Sequence, residues 1–153
     1  MTFASLGLTA PLIATLETLG YRTPTPVQSK AIPAVLAGRD LMAAAQTGTG
    51  KTAAFALPVL QRLATEGVPV AANSVRALVL VPTRELAEQV HESFRAYGQN
   101  LPLRTYAVYG GVSINPQMMA LRKGIDIAVG TPGGLLDLYR QNAIKLGQLR
   151  VLV

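Results

Sequence analysis

Apolar positions along the chain keep two rhythms. Arg76–Val81 and Ile125–Val129 are nearly continuous apolar runs, the pattern of strands covered on both faces. Shorter runs at Asp40–Ala44 and Arg104–Tyr109 predict two more strands, and Arg150–Val153 predicts the start of another, which the chain leaves in its middle. Between them the spacing turns helical. Lys51–Ala64 places apolar residues at 54, 57, 60 and 64. Thr9–Leu19 reads as a helix with Thr9 as cap, Pro11 in the first turn and Gly20 as the stop. Thr25-Pro26 opens a second helix, which Gly38 ends. Further helices are predicted from Pro82–Ala87 to about Tyr97, from Asn115-Pro116 to Gly124, and from Thr131-Pro132 to about Gln141.

A repeated strand–loop–helix order predicts an α/β fold with a mostly parallel sheet and helices on both faces. In such sheets ligands bind at the carboxyl ends of the strands. Four loops are expected there: AQTGTGKT (45–52), PTRELA (82–87), YGG (109–111) and TPGG (131–134). Three of them lead into a helix, so their backbone N–H groups form a row of donors suited to phosphates. Each could equally be an ordinary helix cap.

The first loop carries the most chemistry. A run of apolar residues enters it and a helix leaves it. Gly48 and Gly50 allow the backbone to wrap a phosphate without side-chain clash. Lys51 supplies a point charge for the β- and γ-phosphates, and Thr52 a hydroxyl for a magnesium ion. The general pattern asks for glycine where Ala45 stands, which is tolerable if φ there stays negative.

Composition narrows the class. The chain has no cysteine, which excludes disulfides and thiolate metal sites. Its one histidine, His91, cannot build a zinc site alone and is expected to face solvent on a helix. No apolar run approaches the length of a membrane span, and MTFASLGL lacks the basic start of a signal peptide, so a cytoplasmic protein is expected. The net charge of +6, carried more by arginine than lysine, is compatible with a polyanionic partner.

Taken together, these segments resemble the DEAD-box RNA helicases. GYRTPTPVQ (20–28), with Phe3 17 residues before Gly20, matches the family's Q motif. AQTGTGKT is the family's own form of the phosphate loop, alanine included. PTRELA, the glycine pair and TPG match its first RNA-binding motifs, and GGVSINPQMM (110–119) looks most like the bacterial RhlE-type subgroup. The resemblance implies a RecA-like P-loop NTPase domain with ATP and magnesium as cofactors. It implies a Q-motif region over 1–38 and a partial first RecA-like domain over 39–153. Gln28 would read adenine and Tyr21 would stack on it, with Phe3 packing behind. Thr47, Gly48, Thr49, Gly50, Lys51 and Thr52 would hold the phosphates and the metal. Pro82, Thr83, Arg84, Gly110, Gly111, Thr131 and Gly133 would line an RNA backbone track that ignores base sequence.

Two departures follow from the same resemblance. The family has arginine after TPG where this chain has Gly134, so one cationic contact is missing, and restoring it is expected to strengthen RNA binding. The DEAD motif, the Ser-Ala-Thr motif and the second RecA-like domain would all lie after Val153. No acid in the chain is placed to orient an attacking water: Asp40 and Asp126 begin strands, Glu17, Glu66 and Asp137 lie off the nucleotide edge, and Glu85 is a first-turn acid. The expected activity is that of an ATP-dependent RNA helicase in the complete protein, with the 153-residue piece inactive. A non-catalytic RNA- or partner-binding P-loop protein is the alternative. A small-molecule phosphotransferase is a third reading, one with no use for Gln28 or PTRELA.

Overall fold

A computed structural model describes residues 1–45, 50–111 and 113–153. The chain divides into two compact units, residues 1–66 with 93–102, and residues 67–92 with 103–153.

The first unit is helical. A 3-10 turn (Ala4–Leu6) precedes α1 (Ala10–Thr18), α2 (Pro26–Leu36) and α3 (Lys51–Glu66). Thr9 and Thr25 cap α1 and α2, each followed by a proline at the helix start. Proline lacks the N–H that a first turn leaves unpaired, so it costs nothing there. α2 has a full capping box: Thr25 accepts from the Gln28 N–H at 3.4 Å, and Gln28 Oε1 accepts from the Thr25 N–H at 2.9 Å. α3 buries Ala53, Ala54, Ala56, Leu57, Val59, Leu60 and Leu63, a wider face than the four positions its periodicity marked. A helix apolar on so many sides belongs inside a protein. Buried Gln61 ties α3 to the N-terminal segment, accepting from the Thr9 N–H and donating to the Gly7 carbonyl, both at 2.7 Å.

The strand expected at Asp40–Ala44 does not form. Residues 39–45 have no regular structure, and Leu41 and Met42 are exposed. A strand exists only where a neighbour accepts its N–H and C=O groups. Among the described residues of this unit there is no strand to pair with.

The second unit holds the sheet. Its strands are β1 (Val75–Leu80), β2 (Thr105–Val108), β3 (Ile125–Gly130) and β4 (Val151–Leu152). All pairings are parallel, in the order β2-β3-β1-β4. β3 and β1 lie in the middle and are buried almost throughout, as their continuous apolar runs require. The strands alternate with α4 (Arg84–Tyr97, whose last turn belongs to the first unit), α5 (Asn115–Arg122) and α6 (Pro132–Arg140). This is the α/β class the sequence pattern predicts. The core joins Val75 and Leu78 of β1, Ile125 and Ala128 of β3, Val108 of β2, Leu121 of α5 and Leu138 of α6. His91 is half-buried rather than solvent-facing, its ring set edge-on to Tyr106 with centroids 6.5 Å apart. Among the described residues no helix is long and apolar enough to cross a membrane.

The register Val75↔Ile125 sets the two polar residues of the central strands side by side. Arg76 Nη1 meets Asp126 Oδ1 at 3.3 Å with both side chains nearly dry, and Asp126 Oδ2 accepts from the Arg104 N–H at 2.9 Å. Removing one partner of such a pair strips the other of a counter-charge while it stays buried. Asp126→Ala is expected to lower stability by about 3 kcal/mol or more, and the double change Arg76→Met with Asp126→Leu to recover most of it. Urea denaturation of the three variants measures this; equal stability of Asp126→Ala and the parent would contradict it.

Candidate nucleotide and RNA-backbone site

The candidate residues fall in both units. In the first unit, Gln28 is 4% exposed, so it is no surface residue of α2. Its amide is fixed at both ends: Oε1 accepts the Thr25 N–H at 2.9 Å, and Nε2 donates to the Gly50 carbonyl at 3.2 Å, while the Gln28 backbone N–H donates to the Thr25 hydroxyl. Gly50 is required there twice over. Its φ is +86°, and a Cβ would strike Gln28 Nε2. Lys51, exposed, and Thr52, half-buried, follow as the first two residues of α3, where N–H groups and the helix dipole favour an anion. Thr47, Gly48 and Thr49 lie outside the described residues.

Beside Gln28 opens a cavity of about 340 Å³, walled by Tyr21, Arg22, Thr25, Gln28, Gly50 and Tyr97. Phe3 is buried against the same space, at 4% exposure. Tyr21 presents its ring to solvent, and its hydroxyl lies 3.2 Å from that of Tyr97, with ring centroids 5.9 Å apart. Burial, then the hydrogen bond with Tyr21, pushes the Tyr97 phenol far above its usual range. No local pattern marks Tyr97, which sits 76 residues from Tyr21.

In the second unit, three loops leave the carboxyl ends of neighbouring strands. Pro82-Thr83-Arg84 follows β1, Gly110-Gly111 follows β2, and Thr131-Pro132-Gly133 follows β3. Because the sheet order is β2-β3-β1, these loops share one edge. Pro82, Thr83, Arg84, Gly111 and Gly133 are exposed and Gly110 is half-buried. Thr83 caps α4, accepting the Leu86 N–H at 3.2 Å. Thr131 is mostly buried, and its hydroxyl accepts the Gly134 N–H at 3.3 Å to cap α6, so its side chain is already committed.

Tyr109 directly follows β2, at one end of this row of loops. Its hydroxyl donates to Glu88 at 2.7 Å, which raises the phenol above its usual range. Arg84 lies over its ring, 6.0 Å from Cζ to the centroid, and Arg84 Nη1 is 3.3 Å from where a Cβ on Gly111 would be. Buried Gln117 donates to the Tyr109 carbonyl at 3.0 Å. Glu88 lies in the second turn of α4, where an acid also suits the helix dipole.

Gly134 is not simply a missing arginine. A Cβ at that position would collide with the Tyr109 backbone, with C and N each 2.7 Å away. Any side chain there must push the end of β2 outward. Restoring arginine is therefore a change of backbone packing before it is an added charge, and the expected gain in RNA contact does not follow.

A parallel α/β sheet with three phosphate-suited loops on one edge, in a chain with a Gly-Lys-Thr helix start, defines a RecA-like domain. Residues 25–153 match the DEAD/DEAH box helicase family, and the chain belongs to it. It is 44% identical over 153 residues to the DEAD-box ATP-dependent RNA helicase CshA of Streptococcus pneumoniae serotype 4. It is 45% identical over 152 residues to the RNA helicase CrhR of Synechocystis, and 46% identical over 153 residues to the ATP-dependent RNA helicase DeaD of Escherichia coli K12. These matches cover 99–100% of this chain but only 28%, 30% and 24% of the three relatives.

The steric reading of Gly134 has a direct check. Gly134→Ala is expected to cost about 1–3 kcal/mol, the range for overpacking. Gly133→Ala, whose Cβ would meet nothing within 4 Å, should stay within about 0.5 kcal/mol of the parent. Thermal melts showing equal effects at the two positions would contradict it.

Proposed function

We propose that this chain is the ATP- and RNA-backbone-binding N-terminal part of a DEAD-box ATP-dependent RNA helicase of the RhlE-type subgroup. In the complete protein, ATP binding and hydrolysis would drive local separation of short RNA duplexes. The relatives' names support the activity, and GGVSINPQMM supports the subgroup, which CshA, CrhR and DeaD do not distinguish. We read residues 1–38 as the Q-motif region and 39–153 as part of the first RecA-like domain, in a cytoplasmic protein.

One observation carries the nucleotide reading: the Gln28 amide is bonded to the carbonyl of Gly50, the residue just before Lys51. An amide has two N–H donors and two carbonyl lone pairs. Thr25 and Gly50 take one of each. One N–H and one lone pair remain, the set that pairs with adenine N7 and N6–H. Base recognition is thereby linked by a single hydrogen bond to the phosphate loop. Tyr21 offers an exposed ring beside it for stacking.

Lys51 and Thr52 suit a triphosphate with magnesium. Magnesium takes few protein ligands and keeps waters and phosphate oxygens, so one hydroxyl at the helix start fits its needs. Bound there, the metal would neutralise phosphate charge. The chain's own part is to orient the phosphates with α3 N–H groups and Lys51. Two of the acids on the sheet unit are already engaged, Asp126 by Arg76 and Glu88 by Tyr109. On this reading residues 1–153 bind ATP without turning it over.

Thr83, Arg84, Gly110, Gly111 and Gly133 offer backbone N–H groups and one cation, with Pro82 and Thr131 shaping their loops, which suits a phosphate chain and reads no base. Arg84→Ala in the full-length protein should weaken binding of different single-stranded RNAs equally and reduce the log–log salt slope by about one or less. An effect confined to one RNA sequence would oppose the backbone track. Lys51→Ala should abolish binding of a fluorescent ATP analogue. Gln28→Ala should narrow the preference for ATP over GTP more than it weakens phosphate binding; equal loss of both nucleotides would oppose base reading.

A further inference from the structure

Glu88 follows Arg84 by four residues on α4, the spacing at which a helix pairs opposite charges. Such a pair would turn the arginine away from an incoming phosphate. The structure has a different arrangement. The Glu88 carboxylate accepts the Tyr109 hydroxyl, and the Arg84 guanidinium lies over the Tyr109 ring next to Gly111. A ring face attracts a cation without neutralising it.

Tyr109 itself is held on three sides. Gln117 holds its carbonyl, Glu88 its hydroxyl, and its backbone is seated on the first turn of α6, where Gly134 leaves room. A residue anchored by α4, α5 and α6 spends little further entropy in fixing a neighbour.

We propose that Tyr109 is a positioning residue for the RNA contact. By occupying Glu88 and lying beneath Arg84, it keeps the helix's own acid off the arginine and presents the guanidinium to a phosphate. The inference rests on the RNA-backbone role proposed for Arg84.

The test is a set of affinities of the full-length protein for a short labelled single-stranded RNA, read by fluorescence anisotropy. Tyr109→Phe keeps the ring but releases Glu88, and binding should weaken about two- to threefold, the weight of one helical ion pair. Adding Glu88→Gln to that variant should restore it, since the released side chain can no longer pair with Arg84. With Arg84→Ala, which alone should cost about tenfold, Tyr109→Phe should have no further effect. A structural role for Tyr109 would instead give additive losses and no rescue, and that result overturns the proposal. If Arg84→Ala leaves RNA affinity unchanged, the backbone-track reading fails first and this inference with it. Equal thermal stability of Tyr109→Phe and the parent confirms that folding is not what the anisotropy reports.

Discussion

The end of β2 runs so close to the β3–α6 turn that neither Gly130 nor Gly134 can carry a side chain. A Cβ on Gly130 would meet Val108 Cγ2 at 2.6 Å, and one on Gly134 would meet the backbone of Tyr109. This close approach fixes where the glycine pair after β2 emerges and where Tyr109 points. It thereby sets the position of Arg84 and the spacing of three loops on one sheet edge. The ladder behind it is held by dry apolar strands and by one buried ion pair, Arg76–Asp126. Such a pair adds little net stability but penalises any slip of register that would leave either charge alone.

The first unit uses the same economy of polar groups. Gln28 serves α2 as a capping residue and at the same time reaches Gly50. A side chain locked in this way has a defined orientation before any ligand arrives, which lowers the ordering cost of binding. Tyr21 is held through the Tyr97 hydroxyl in a similar fashion. The candidate groups for base and phosphate are thus set by helix capping and by packing.

Much of this was legible in the sequence, for physical reasons. Arg76–Val81 and Ile125–Val129 read as strands because both faces are buried and no alternation interrupts them. Thr25-Pro26 and Thr131-Pro132 read as helix starts because proline fits only a few backbone positions. Asp40–Ala44 misled because an apolar run reports a wish for burial and not the presence of a pairing partner. Gly134 misled differently. Comparison with a motif reveals an absent arginine, but only coordinates show that Tyr109 fills the space a side chain would need. Tyr97, Gln117 and the Tyr109–Glu88 bond depend on contacts between residues distant in the chain, which no local pattern encodes.

The claim that three strand-end loops form one RNA-backbone surface is tested most directly by hydrogen–deuterium exchange of the full-length protein with single-stranded RNAs of unrelated sequence. The account predicts slowed exchange at 83–84, 109–111 and 133–134 together, to the same extent with each RNA. Protection that changes from loop to loop with RNA sequence, or that spares all three, would contradict it.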